Sequence, residues 1–302
     1  MASVKPVVTI GVCVRNTATT IREAINSIIN QDFPHELMEV IFVDDGSEDE
    51  TLSIINSYAP KMDMRVKVFH HEWKGLGSSR NVVVNNANGN YIVWVDGDMI
   101  LPEDHVRKQV EFMEQNSKVG IAKARYGVST EENLFDFLEN VAYVAVDFMY
   151  GGKSTSRTLG TGGSVYRVEA IHQVGGFDAR LSGVGEDMDV ETRIRKAGWL
   201  LFLGSPAVFY ERRRKSLRSV WREGFWHGFG GYSVFRKNNV VLALYKMVPL
   251  AGLVAGIWYS IPAYKVTHQK KVFLLPIEHA FKRMAWFCGF LKAQIGHVRC
   301  KS

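Results

Sequence analysis

A chain of 302 residues with 46% hydrophobic side chains is long enough for one large or two small domains and apolar enough to bury a core, which excludes a disordered protein. Three scattered cysteines, Cys13, Cys288 and Cys300, exclude a disulfide framework and a cysteine zinc site. The net charge of +6 gathers in Arg212, Arg213, Arg214, Lys215, Arg218 and Arg222, a cluster suited to phosphate or acidic lipid; it forms no stripe, and no nucleic-acid partner is expected.

The N-terminus has an apolar run after a single lysine and no small-residue cleavage site, so it reads as a strand rather than a signal peptide, and the catalytic part is expected on the cytoplasmic side. Residues 7–14 are nearly all apolar, as in a strand covered on both faces. Thr20 and Glu23 form a capping-box pattern ahead of Ile21, Ala24, Ile25, Ile28 and Ile29 at helical spacing. Residues 40–43 predict a second buried strand, and Ser47 with Glu50 a second capping box before Leu52, Ile55 and Tyr58. A strand over 65–69, a helix over 78–86 and a strand over 91–95 follow, with Pro102 as the first residue of a helix carrying Val106, Val110 and Met113. This alternation predicts an α/β fold, Rossmann-like, with a mostly parallel sheet flanked by helices.

Three of the strands end in polar residues: Arg15-Asn16, Asp44-Asp45-Gly46-Ser47 and Asp96-Gly97-Asp98. Ligands of open α/β sheets bind at the carboxyl ends of strands, so these tips are expected to border a crevice. In an extended chain Asp96 and Asp98 would point the same way, as carboxylates that hold Mg²⁺ or Mn²⁺ together with substrate phosphates do. Taken alone, Asp-x-Asp is equally explained by a surface turn, and Asp44-Asp45 by turn and helix-start charge.

The segments VVTIGVCVRNTATTIREAINSIINQDFP, VIFVDDGSEDET, KGLGSSRNVVVNNANGNYIVWVDGDMILP, GTGGSVYRVEAIHQVGGFD and GEDMDVETRIRKAGW occur in that order within residues 5–232. Together they resemble the inverting family 2 glycosyltransferases, whose nucleotide-diphospho-sugar transferase fold is called GT-A. The resemblance implies a nucleotide-sugar donor, UDP-linked by preference and GDP-linked as the other option. It puts Asn16 and Gln31 in their usual places, gives Asp45 a hydrogen bond from the donor's base with Asp44 close by, and has Arg80 help hold the nucleotide. It makes Asp98 a direct metal ligand, sets Asp96 against ribose or metal-bound water, and makes Asp187 the base, with Glu186 beside it and Asp189 as the rival. Without the resemblance, the acidic start of that helix is also a dipole-stabilising charge. Gly162, Gly163, Gly175 and Gly176 are expected to let backbone approach sugar or acceptor, with Phe177 and Asp178 near the sugar. Where many relatives carry a metal-binding histidine this chain has Tyr210 and Glu211, which makes Glu211 the substitute oxygen ligand, and Arg214 among its neighbours is expected to clamp the diphosphate.

Composition changes past residue 237, dividing the chain into a catalytic domain over 1–237 and a hydrophobic helical extension over 238–302. Residues 247–264 carry no charge but include Pro249 and Pro262, which is marginal for a membrane span. A full hairpin with residues 272–295 would put the basic loop KVTHQKK outside, so a shallow segment plus an interfacial amphipathic helix is expected, anchored by Trp258, Trp286, Phe287 and Phe290. The alternatives are a helical pair packed on the catalytic domain and a dimer interface. Residues 134–150 are apolar all round, as core or as the lining of an acceptor route. The expected activity is sugar transfer to a membrane-linked acceptor such as a polyprenyl phosphate or lipid-linked glycan. The rivals are an inactive nucleotide-sugar-binding membrane protein and a nucleotidyltransferase, whose glycine-rich loop after the first strand is missing.

Overall fold

The computed structural model describes residues 4–128, 133–181, 184–212, 216–237 and 244–299. The chain forms two compact units: 1–125 with 151–182 and 186–211, and 126–150 with 183–185 and 212–302. The expected division at residue 237 falls inside the second unit.

In chain order the elements are β1 (Val8–Val14), α1 (Ile21–Ile29), β2 (Met38–Asp45), α2 (Thr51–Tyr58), β3 (Arg65–His71), α3 (Leu76–Asn86), β4 (Tyr91–Trp94), β5 (Met99–Ile100), α4 (His105–Gln115), β6 (Val119–Tyr126), α5 (Leu134–Tyr150), β7 (Lys153–Ser154), β8 (Ser164–Arg167), α6 (Val168–Gln173), α7 (Glu186–Lys196), β9 (Leu200–Glu211), α8 (Leu217–Lys237), α9 (Pro249–Thr267) and α10 (Leu275–Arg299). The sheet order is β3-β2-β1-β4-β8-β6-β9-β5, with β7 against β9. Every residue of β1 and β2 is buried, as expected of strands covered on both faces. Gly11 permits this packing, since a Cβ there would lie 2.8 Å from Val83 Cγ1 and 2.9 Å from the Trp94 ring.

The sheet is less parallel than its alternating sequence predicts. Strands β3, β2, β1 and β4 run parallel, whereas β8 is antiparallel to both β4 and β6, and β9 is antiparallel to β5 and β7. Helices connect the later strands too, α4 between β5 and β6 and α6 and α7 between β8 and β9, so alternation alone does not separate parallel from antiparallel pairing. The parallel half still sets the tips of β2, β1 and β4 side by side at their carboxyl ends, with Val14 opposite Asp44.

Neither capping box forms. Thr20 makes no side-chain cap, and Ser47 Oγ instead accepts from Asn16 N at 2.9 Å while Asp49 Oδ1 accepts from Thr51 N at 3.0 Å. Helix α4 starts three residues beyond Pro102 and is capped from a distance: Gln31 Oε1 accepts from Val106 N at 2.9 Å, and Gln31 Nε2 donates to Pro102 O at 2.9 Å.

In the second unit Phe137, Leu138, Val141 and Ala145 of α5 pack with Ala263, Val272 and Leu275, so this face of the apolar helix is core. Helices α8 and α10 approach at backbone distance, which requires glycine: a Cβ at Gly228 or at Gly289 would overlap the facing carbonyls of Trp286 and Phe225. Among the described residues no helix is long and apolar enough to cross a membrane. Helix α9 nevertheless exposes Leu250, Val254, Ile257 and Trp258.

Candidate active site

The tip of β1 is pinned by Asn16, whose left-handed backbone (φ 54°) lets its N–H donate to Ser47 and its Oδ1 accept from Glu48 N at 2.8 Å. Asn16 thus ties the β1 tip to the β2 tip. Both carboxylates at the end of β2 are buried. Asp45 is fully engaged with the next turn, accepting from Lys74 N at 2.8 Å and Gly75 N at 3.0 Å. Asp44 Oδ2 accepts from Ser47 N at 3.2 Å and His70 Nδ1 at 2.8 Å, but Asp44 Oδ1 is buried with no hydrogen-bond partner among the described residues. The carboxylate oxygen without a partner at this tip is Asp44 Oδ1, while both oxygens of Asp45 hold the backbone of residues 74–75.

The chain leaves β4 at Trp94 and turns, so Asp96 and Asp98 do not lie on one extended strand. Asp96 O accepts from Met99 N at 3.1 Å, and Asp96 N donates to Met99 Sδ at 3.2 Å. The Asp96 carboxylate lies directly against Gly162, where a Cβ would displace it. Gly163, at φ 70°, donates its N–H to Trp94 O at 2.9 Å, and a Cβ there would lie 2.5 Å from Phe209. Its glycine serves packing as well as backbone access.

Helix α7 supplies the other carboxylates. Asp187 is half-buried, its Oδ1 accepts from Met188 N at 2.7 Å, and its Oδ2 lies 3.7 Å from the position a Cβ would take at Gly160. Glu186 is buried and receives Arg80 Nη1, while its Oε2 has no partner among the described residues. Burial raises the Glu186 carboxyl above the ordinary carboxylate range, and Asp187 pushes the same way, against the pull of Arg80. Arg80, expected on the nucleotide, is buried over the Phe177 ring and committed to Glu186, which holds its guanidinium charged despite burial. Asp189 is committed as well: it binds Arg193 at 2.8 and 2.9 Å, and Arg193 donates to Val174 O and Gly176 O. Phe177 is core, edge-on to Trp94 at 5.7 Å, and Asp178 accepts from Arg180 at 2.9 Å. Arg214 lies outside the described residues.

Two residues that sequence reasoning missed hold the segment between these carboxylates. Glu191 is buried and accepts from Leu159 N at 2.8 Å and Gly160 N at 2.7 Å; burial and then Asp187 raise its carboxyl to about 8. Lys123 is buried in β6, donates to Gly162 O and stands 5.1 Å over the Phe209 ring. Its signal was a lysine inside the apolar run VGIAKARY, and that of Glu191 its i+4 spacing from Asp187. His70, the partner of Asp44, was readable only as the end of β3.

The sequence profile of glycosyl transferase family 2 matches residues 9–175, more than half of the chain. The chain belongs to glycosyl transferase family 2. It is 25% identical to glycosyltransferase GlyA of Streptococcus pneumoniae over 233 residues, which are 73% of this chain and 32% of that protein. It is 33% identical over 101 residues, 33% of this chain, to the poly(ribitol-phosphate) β-N-acetylglucosaminyltransferase TarS of Staphylococcus aureus, 18% of whose length is matched. The chain thus spans a third or less of the length of these curated relatives. The fold is shared with the mannosyltransferase PcManGT of Pyrobaculum calidifontis, solved with GDP-Man and Mn²⁺ (TM-score 0.68, 18% identity, 96% of this chain and 88% of that one). It is shared too with TarS residues 1–349 solved with UDP (TM-score 0.53, 19% identity, 96% and 91%). Both are GT-A glycosyltransferases by fold, as the sequence motifs predict for this chain.

For a family 2 glycosyltransferase the donor set can be tested for a divalent cation. Register pairs Met99 of β5 with Glu211 of β9, which brings the Glu211 backbone beside the residue that follows Asp98. The available groups are carboxylates, suited to a hard cation. Among the described residues no three His, Cys, Asp or Glu side chains come together as a metal-holding group, so the expected trio of Asp96, Asp98 and Glu211 is not assembled. The residues fit a cation held by one or two carboxylates and completed by donor phosphates, and do not fit a closed protein cage. Burial pushes the thiol of Cys13 up to about 12.

Proposed function

We propose that the chain transfers a sugar from a nucleoside-diphosphate sugar to an acceptor at a membrane surface, by a single displacement that inverts the anomeric carbon. One observation carries this reading: two carboxylates from distant parts of the chain, Asp96 and Asp187, reach one glycine segment, at Gly162 and Gly160. Gly160 leaves backbone with room beside it that a sugar can approach, and the tips of β1, β2 and β4 are where an open α/β sheet receives its ligand.

In this reading Asp44 Oδ1 accepts an N–H of the nucleobase, and Asn16 and Asp45 keep the two loops around it in place. Asp96 faces the ribose or diphosphate. Glu186 acts with Arg80 as a buried pair that positions α7, which directs Asp187 toward the acceptor. Asp187 takes the proton of the acceptor hydroxyl as its oxygen bonds the anomeric carbon and the bond to the diphosphate breaks, the pair of electrons leaving with the nucleotide. Mg²⁺ or Mn²⁺, when bound by Asp98 with Asp96 or Glu211, would neutralise the departing diphosphate. A base is needed for a hydroxyl and not for a phosphate oxygen that is already anionic, so a lipid-linked glycan suits this site better than a bare polyprenyl phosphate.

Membrane association is supported by the exposed apolar residues of the second unit, among them Leu250, Val254, Ile257, Trp258, Ile277 and Phe287. Such helices, too short of apolar length to span, suit an interfacial location. The catalytic unit would then work from the cytoplasmic side.

The test is turnover by membrane-bound and detergent-extracted protein across UDP- and GDP-sugars, with Mn²⁺ or with EDTA. Metal-dependent release of one nucleotide is the expected result. Tight nucleotide binding with no donor consumed would replace the transferase with an inactive binding protein.

A further inference from the structure

The second unit contains a cavity of about 300 Å³ lined by α5, α8, α9 and α10, at the small end of the range for ligand sites. Its walls combine the aromatic rings of Tyr143, Tyr259 and Trp286 with charged side chains. Those charges are unevenly paired. Lys282 Nζ donates to Glu139 Oε1 at 3.0 Å and lies 3.5 Å from Glu278 Oε1, while Glu278 Oε2 accepts from His279 Nδ1 at 2.7 Å. Burial would lower the Lys282 ammonium, but Glu278, Tyr143 and Glu139 hold it above its ordinary value. Glu223, also in the wall, lies 3.9 Å from His227. Each carboxylate therefore faces a cation or a histidine.

Arg283 is different. Its Nη1 donates to Met247 Sδ at 2.6 Å, a weak acceptor, and it makes no ion pair with a carboxylate among the described residues. Burial pulls the guanidinium below its ordinary value, although Tyr259, Tyr143 and Glu278 pull the other way. A desolvated cation in this state is costly unless an anion joins it. The planar guanidinium offers two parallel N–H donors, the arrangement that binds phosphate best.

We propose that this cavity is a binding site for the phosphate head of an amphipathic lipid, with Arg283 as its bidentate cation. The lipid source follows from what surrounds Arg283. Gly252 of α9 packs on its side chain, a Cβ there lying 2.9 Å from Arg283 Cγ, and the same stretch of α9 exposes Leu250 (69%) and Val254 (63%). The next residue on α10, Met284, is also exposed. A charged head at Arg283 thus has apolar surface beside it for a hydrocarbon tail. The site stands apart from the transfer reaction and does not rest on it.

The test compares the full chain with Arg283→Gln in two arms: binding to phosphatidylcholine vesicles with and without phosphatidic acid, and the melting midpoint with and without inorganic phosphate. Wild type is expected to prefer phosphatidic acid vesicles over plain ones by a factor that drops at least about fivefold in the variant, the effect of one basic residue at an anionic surface. Removing a half-buried cation that makes no ion pair among the described residues should leave folding intact and donor turnover unchanged. Arg283→Lys, which keeps the charge but not the fork, serves as the second variant and is expected to lose a smaller part of the preference. A phosphate-dependent rise in the wild-type midpoint, absent in Arg283→Gln, supports the phosphate site. If that rise occurs but vesicle preference is equal in the two proteins, the ligand is free phosphate and the lipid assignment is overturned. Equal behaviour of wild type and variant in both arms overturns the site itself.

Discussion

Asp45 at a strand tip and Glu191 on α7, both in the first unit, are satisfied by backbone N–H groups, whereas the buried charges of the second unit are satisfied by side chains, Lys282 by Glu139 on another helix and by Glu278 on its own. Asp45 takes two N–H groups of the 74–75 turn and Glu191 two of the 159–160 segment. Lys282 depends on Glu139, 143 positions away in sequence, and on Glu278. A carboxylate that gathers backbone donors fixes a loop, which is what a site needs. A side-chain pair fixes one helix against another and is only as durable as its weaker member.

Arg80–Glu186, like Asp189–Arg193, is a side-chain pair within the first unit, and it offers the strongest test of the contrast. Glu186→Ala leaves a buried guanidinium unpaired, and urea unfolding should report a loss of about 3–5 kcal/mol. A loss below about 1 kcal/mol would mean that backbone contacts alone hold α7 in place. In the second unit Glu139→Gln should cost about 1.5–3 kcal/mol by thermal unfolding, since Lys282 keeps Glu278 as a partner. A neutral result would remove the distinction between the two units.

A further effect is one of pH. The Glu191 carboxyl lies at about 8 when folded against an ordinary 4.5, raised by burial first and Asp187 next. The folded chain therefore holds this proton more tightly than the unfolded chain does. That stability is complete below about pH 4.5 and is lost as pH rises through about 8. The melting midpoint of wild type should fall between about pH 6 and about pH 9 more steeply than that of Glu191→Gln. Parallel slopes would show that the backbone donors of 159 and 160 keep Glu191 ionised throughout.

The parallel half of the sheet and the order of its tips were legible because strand and helix periods and the motifs at their ends are local. The antiparallel return of β8 and β9 was not, since it depends on pairings between distant segments. The same limit explains the site. Asp44, Asp45, Asp96 and Asp187 are singled out by motif, but Glu186, the partner of Arg80, lies 106 positions away, and the backbone of residues 74–75 that Asp45 binds lies about thirty positions on. The bend at Gly97 also defeats the extended-chain argument for Asp96 and Asp98. Residues 247–264 read as a marginal span by length, and among the described residues no helix, the one they join included, is long and apolar enough to cross a membrane.

The central claim is that Asp187 is the base, and turnover beside nucleotide binding in Asp187→Asn tests it most directly. The substitution keeps size and polarity and removes only the capacity to take a proton. Donor turnover should fall by about 10²–10⁴-fold with nucleotide affinity unchanged. Turnover within about threefold of wild type would contradict the account and reduce Asp187 to a charge at the start of a helix.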